Sequence, residues 1–340
     1  MYAEYYSLSG MPFQLTPDSR FFFGSNEHSK AMAFLNYGIS QGEGFVVVTG
    51  EVGAGKTTLV DHLLSELDPT RFVAGRIVTT QLNSYDTLRM ACSAFNVFRE
   101  GMDKATMIRQ LQQMFANLQS QHRRALLIVD EAQSLTAEAL EELRMLSNLV
   151  TSNETPFQVI LLGQPEFRAI LSSPGAEQVK QRVTASCHLG PISEEDTRRY
   201  IEHRLRQVNW ANDPEITAQA FAEIYRCAGG IPRRINTLCS RILLLAFLDQ
   251  KHLIDGDMVI AVASELSAEL GPMTSAPVAQ LARSAVAEGT GKSLRVGAAV
   301  PADGTLERRI TDIEERTDRH EKVINRALEL AAHYFPDADL

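Results

Sequence analysis

Eight consecutive residues, Gly50-Glu51-Val52-Gly53-Ala54-Gly55-Lys56-Thr57, have the make-up of a loop that wraps a phosphate. Glycines let the backbone curl round an anion with successive N–H groups pointing inward. A lysine after the last glycine sets a cation against the outer phosphates, and the hydroxyl beside it can ligate Mg²⁺. A helix starting there adds the positive end of its dipole. The spacing Gly50-x-x-x-x-Gly55-Lys56-Thr57 fits the Walker A pattern without deviation, and Thr58 continues the cradle. The expected ligands are ATP and Mg²⁺, gripped by residues 50–58, with Thr57 on the metal.

A second set lies downstream. The run Leu126-Leu127-Ile128-Val129 ends in Asp130-Glu131. A buried strand that ends in two carboxylates needs a reason, because unpaired charge is costly to desolvate. Mg²⁺ shared with phosphate supplies one. Asp130 is then expected to hold the metal shell, and Glu131 to orient or deprotonate the attacking water. Standing alone, the pair would read as acids in the first turn of a helix; the phosphate loop upstream decides for catalysis. A further apolar run, 157–162, ends in Gly163-Gln164-Pro165, where Gln164 is placed to bridge Glu131 and the γ-phosphate. Arg182 is a candidate arginine finger acting on a neighbouring subunit's nucleotide. Within Gly229-Gly230-Ile231-Pro232-Arg233-Arg234, an arginine is expected to fold back onto the γ-phosphate, Arg233 in preference to Arg234.

These residues need a scaffold, and the pattern around them supplies it. Phe45-Val46-Val47-Val48 reads as a fully buried parallel strand. Further strands are expected at 72–79, 125–129, 157–162 and about 184–189, alternating with helices at 57–67, 84–98, 103–121, 136–149 and 165–172. Alternating β and α elements predict an α/β fold, a parallel sheet sandwiched by helices. After Pro191 the pattern predicts helices only: 193–208, 214–228, 232–249 and 255–269. The domains expected are an N-terminal linker and helix (1–44), a nucleotide-binding α/β domain (45–191) and a helical lid (192–270). A flexible Ala/Gly/Ser/Pro-rich linker (271–304) and a helical tail (305–340) follow.

The chain's 340 residues suffice for about two domains, with 44% apolar and 22% charged residues. A net charge of −9 argues against a protein that coats nucleic acid over its whole surface. The four cysteines, Cys92, Cys187, Cys227 and Cys239, form no Cys-x-x-Cys pair, so reduced thiols are expected. No apolar run is long enough for direct membrane insertion and no signal peptide opens the chain, which predicts a cytoplasmic protein.

The motifs taken together, with Val-Asp-Glu-Ala-Gln at 129–133, Leu-Gly-Gln-Pro-Glu at 162–166 and Gly-Gly-Ile-Pro-Arg-Arg-Ile-Asn at 229–236, resemble AAA+ ATPases of the ExeA (general secretion pathway protein A) group. The opening fits too: Pro12-Phe13, Thr16-Pro17-Asp18, Arg20-Phe21-Phe22-Phe23 and His28. The resemblance covers about residues 1–265. Tyr37-Gly38-Ile39 and 143–148 look closest to the ATPase associated with exosortase and exopolysaccharide loci. The resemblance implies an AAA+ sheet domain with a helical lid, ring or filament homo-oligomers, Gln164 as sensor 1 and Arg233 as sensor 2. Secretion proteins of the group carry a transmembrane helix and a periplasmic peptidoglycan-binding region, neither visible in this sequence.

Two functions compete. One is an ATP-driven switch or motor of an envelope polysaccharide or secretion system, recruited to the inner membrane by a partner, for which the 305–340 tail is a candidate docking element. The other is a DNA-associated regulator of the transposition or initiator type. The acidic balance favours the first. A scaffold without turnover is disfavoured by Glu131.

Overall fold

The computed structural model describes residues 1–16, 18–78, 82–149 and 156–270, all within one compact unit, Met1–Ala276. The linker expected at 271–304 and the tail expected at 305–340 lie outside the described residues.

Five strands, β1 (Phe45–Gly50), β2 (Phe72–Val78), β3 (Arg124–Asp130), β4 (Phe157–Gly163) and β5 (Val183–Leu189), form a parallel sheet in the order β2-β3-β4-β1-β5. The three inner strands are buried along their whole length, apart from Arg124 at the start of β3. Burial on both faces is why they read as unbroken apolar runs rather than alternating ones. Register aligns their carboxyl ends: Thr49 lies opposite Gly163 and His188, Val129 opposite Leu161, and Val78 opposite Asp130. The loops that follow β1, β3 and β4 therefore leave the sheet side by side, at the edge where open parallel sheets bind ligands.

Helices are counted from α1 (Tyr2–Tyr5). On one face of the sheet Val46, Val48, Leu126, Ile128, Ile160 and Leu162 pack on α2 (Asn26–Gln41) and α3 (Lys56–Glu66). The alternate residues Val47, Leu127, Val129, Val159 and Leu161 pack on α4 (Ser84–Ala94), α5 (Lys104–Ser120) and α6 (Ala137–Leu146). Side chains of Asn83, Asp103 and Thr136 cap the last three by accepting backbone N–H groups. Short helices α7 (Phe167–Leu171) and α8 (Glu177–Lys180) connect β4 to β5. Two helices end three or more residues earlier than their patterns predict. α4 stops at Ala94 because Asn96 turns into the left-handed region (φ 58°), and α6 stops at Leu146. α7 starts two residues late because Gln164, Pro165 and Glu166 form a turn first.

Beyond the sheet, α9 (Glu194–Arg206), α10 (Ala218–Ala228), α11 (Pro232–Leu248) and α12 (Gly256–Leu270) pack around Ile201, Leu205, Ile224, Leu238, Ile242 and Val259. The pattern predicts helices alone here, and the structure corrects that. β6 (Glu215–Ile216) and β7 (Leu253–Ile254) pair in parallel, and the helix expected from 214 begins after Thr217. Two-residue strands are too short to show a period. The start of the chain also joins this helical core. Tyr2, Tyr6, Leu8, Phe13 and Phe21 are buried in it, and the Tyr6 hydroxyl donates to the Lys251 carbonyl at 2.8 Å. Among the described residues no helix is long and apolar enough to cross a membrane.

Candidate active site

The loop after β1 turns through Gly53 (φ 83°) and Gly55 (φ 97°), conformations that side-chain-bearing residues rarely adopt. Space forbids side chains there as well. A Cβ on Gly53 would fall 2.3 Å from Arg233 Cβ, and one on Gly55 would fall 2.8 Å from His28 Nε2. Lys56, which opens α3, is buried, and its Nζ donates to the carbonyls of Gly50 (2.8 Å) and Glu51 (3.0 Å). Burial lowers the pKa of this ammonium, and Glu131, Asp130 and Glu51 act against that. The loop thus folds over its own lysine, with the Ala54 N–H donating to the Glu51 carbonyl. That cradle fits a phosphate chain: peptide N–H groups, one cation and no side chain between them.

The two acids differ in what holds them. Asp130 Oδ2 accepts the Thr57 hydroxyl at 2.9 Å and Arg76 Nη2 at 3.0 Å, while Oδ1 accepts the Glu131 N–H at 3.0 Å. Glu131 adopts a left-handed backbone (φ 53°), which turns its side chain out of the strand direction. Its Oε2 accepts amide N–H groups from Gln164 (3.1 Å) and from Gln133. Gln133 Oε1 in turn accepts the Gln164 backbone N–H at 2.9 Å, closing a ring of three side chains. Thr57 and Asp130 fit the sparse protein share of a Mg²⁺–phosphate site, where substrate oxygens and water supply most ligands. Among the described residues no three His, Cys, Asp or Glu side chains come together as a metal cage.

The helical unit closes the other side. Gly229 and Gly230 both take positive φ, and Pro232 starts α11. The Arg233 N–H donates to the Gly53 carbonyl at 3.1 Å, so the first turn of α11 rests on the loop. Between them lies a cavity of about 420 Å³, lined by Val52, Gly53, Gly55, Lys56, Thr57, Thr58, Asp130, Glu131, Arg233 and Asn236. Residues from the start of the chain line it too, among them Leu15, Thr16, Phe22 and His28, with Tyr200 and Arg204 from α9.

The structure therefore brings together Lys56, Thr57, Thr58, Asp130, Glu131 and Arg233, and reaches Gln164 through Glu131. Arg182 stands apart. Its carbonyl accepts the Phe45 N–H at the amino end of β1, and Nη1 donates to Ser147 Oγ at 3.0 Å. The length of β5, roughly 20 Å, separates it from the loop of its own chain. Sequence reasoning assigns no role to the side chains of Gln133, Arg76 or His28. Gln133 carries the one usable signal, an amide two residues past Glu131. Arg76 sits in an apolar run that gives no hint of a partner. His28 is buried, with Nδ1 2.7 Å from Ser25 Oγ, and burial depresses its pKa to about 4.

Comparison with known proteins agrees with this geometry. Residues 39–171 match the profile of a family described as "AAA domain". General secretion pathway protein A of Aeromonas hydrophila is 39% identical over 267 residues, which are 77% of this chain and 48% of that protein. The chain thus spans about half the length of this curated relative. Among solved structures, the ADP form of the ORC2 protein of Aeropyrum pernix superposes with a TM-score of 0.56 at 18% identity, over 88% of this chain and 82% of that one. Cdc6p from Pyrobaculum aerophilum gives 0.58 at 14% identity, over 78% and 74%. A mutant form of RuvB from Thermotoga maritima gives 0.51 at 16% identity, over 80% of each. At such identities the likeness is one of fold. With its parallel five-stranded sheet and its phosphate-type loop, the chain carries an AAA domain over residues 39–171 and is related in sequence to general secretion pathway protein A.

Proposed function

We propose that this chain hydrolyses ATP in a Mg²⁺-dependent cycle and works as a switch or motor for an envelope system, of the exosortase–exopolysaccharide or secretion type. The observation that carries the ATPase reading is the convergence of Lys56, Thr57, Asp130, Glu131 and Arg233 on one cavity. In this reading the N–H groups of residues 50–58 bind the phosphate chain. Lys56 exchanges its loop carbonyls for β- and γ-phosphate oxygens. Mg²⁺, when bound, neutralises charge building on those oxygens. Thr57 and Asp130 hold that ion's shell, and Glu131, kept in place by Gln164 and Gln133, orients the attacking water and takes its proton. Arg233 senses the γ-phosphate and couples the lid to it. The module divides at about residues 45–191 and 192–270.

The envelope assignment draws on the kinship with general secretion pathway protein A. It implies a cytoplasmic protein drawn to the inner membrane by a partner, with residues 305–340 as the candidate docking element. Arg182, remote from its own loop, serves as a finger for a second copy in a homo-oligomer. The test is a pair of variants. Lys56→Ala should lose nucleotide binding, while Glu131→Gln should keep binding and lose at least about 100-fold in turnover. Turnover that survives Glu131→Gln would sink the assignment of the base. The rival reading draws on structures of the same fold, such as Drosophila ORC bound to DNA. ATP-dependent retention on duplex DNA that falls steeply with salt would favour that rival.

A further inference from the structure

Arg76 is a cation in an otherwise apolar edge strand, Phe72-Val73-Ala74-Gly75-Arg76-Ile77-Val78. It lies opposite Ile128 in β3, and side chains alternate faces, so Arg76, Ile128 and Asp130 project toward the same helical layer, the one containing α3. Its guanidinium forks there. Nη1 meets Asp61 Oδ1 of α3 at 2.8 Å, and Nη2 meets Asp130 Oδ2 at 3.0 Å. The oxygen it takes on Asp130 is the one that also accepts the Thr57 hydroxyl. A strap between β2 and α3 would need only the Asp61 contact. The second prong instead sets a fixed cation beside the two side chains that would share a divalent ion, and pins the rotation of the carboxylate.

We propose that Arg76 is a positioning residue of this site, holding Asp130 on Thr57 and setting the metal concentration at which the site fills. The inference rests on the phosphate-site reading above. Two opposite effects follow. A guanidinium near a divalent cation repels it, so removing the charge tightens metal binding. The same fork orients Asp130, so removing it slows turnover. A residue with a merely structural role would not move these two quantities in opposite directions.

The test uses the full chain with a non-hydrolysable ATP analogue and Mn²⁺, counting free Mn²⁺ by electron paramagnetic resonance. Turnover at saturating Mg²⁺ and thermal unfolding are measured in parallel. Arg76→Gln should bind Mn²⁺ about three- to tenfold tighter and turn over at least about tenfold slower. Arg76→Lys should keep Mn²⁺ affinity within about twofold of the unaltered chain yet lose turnover, because one nitrogen on a flexible stem lacks the rigid, spaced pair of donors that fixes the rotation of Asp130. Asp61→Asn, which removes the charge from the far contact and so weakens that prong, should slow turnover by about threefold. Unchanged or weaker Mn²⁺ binding in Arg76→Gln overturns the proposal, as does unchanged turnover. Should Arg76→Gln fail to fold, Arg76→Lys and Asp61→Asn decide, and unaltered turnover in both overturns it. Failure of the phosphate-site reading looks different: the unaltered chain then binds neither the analogue nor Mn²⁺, and Lys56→Ala changes nothing.

Discussion

At the scale of single residues, the site is built from polar groups that satisfy one another before any ligand arrives. Lys56 caps its own loop, Asp130 is shared between Thr57 and Arg76, and Glu131 is held by two amides. Such networks are costly to leave half-made, which is why each member has a defined partner. His28 is the exception with a pH signature. Burial lowers its pKa from 6.5 to about 4, so the folded chain binds fewer protons than the unfolded one between those values. Stability is then fully present above pH 6.5 and declines as pH falls toward 4, by about 2 kcal/mol at pH 5 for this group. Urea unfolding at pH 7.5 and pH 5 should show His28→Gln losing about 2 kcal/mol less than the unaltered chain over that range. Equal losses would mean that His28 is not held neutral. Loop, acids and Gln164 were legible because their chemistry fixes both type and spacing. Gln133, Arg76 and His28 were not, because their partners lie across the fold and nothing local marks them.

At the scale of elements, the contact to watch is α11 on the phosphate loop. A loop that must bind phosphate through its backbone has been packed, at Gly53, directly against Arg233. Gly53→Ala therefore carries two penalties, a positive φ and a Cβ 2.3 Å from Arg233 Cβ, and it should push the lid off the loop. We expect at least about tenfold weaker nucleotide binding with melting lowered by a few degrees, consistent with roughly 1–3 kcal/mol of strain. Nucleotide affinity within twofold of the original would show that the lid can step aside freely. The three inner strands were legible because continuous burial leaves an unmistakable apolar run, as in β1 and β4. Helix ends were less so. The stop at Ala94 depends on Asn96 entering a left-handed turn, and apolar spacing carries on past it. β6 and β7 are set by their pairing, which local sequence does not encode.

At the scale of the molecule, the opening segment is a strap whose Tyr2, Tyr6, Leu8, Phe13 and Phe21 join the helical core, so that core is built from both the beginning and the later part of the chain. The opening aromatics read as a linker because they precede the sheet in sequence, while their contacts are with α9, α11 and the residues Lys251 and His252. Tyr6 is 2% exposed and is the strap's anchor. Tyr6→Ala should destabilise the chain by about 3–5 kcal/mol, the usual cost of emptying a large aromatic's place in a core. Tyr6→Phe, which keeps the ring and loses only the hydrogen bond to Lys251, should cost about 1 kcal/mol. Denaturant melts of the two variants check this, and equal effects would make the hydroxyl rather than the ring the anchor.

The strap also has a history in time. Tyr6 and Lys251 are 245 residues apart. On a ribosome adding about 5–20 residues per second, the strap waits roughly 10–50 s for the helices that will cover it. Throughout that interval Tyr2, Tyr6, Phe13 and Phe21 have no core to enter. The sheet can mature while the opening segment is still seeking partners, which makes that segment the natural handhold for a chaperone during synthesis.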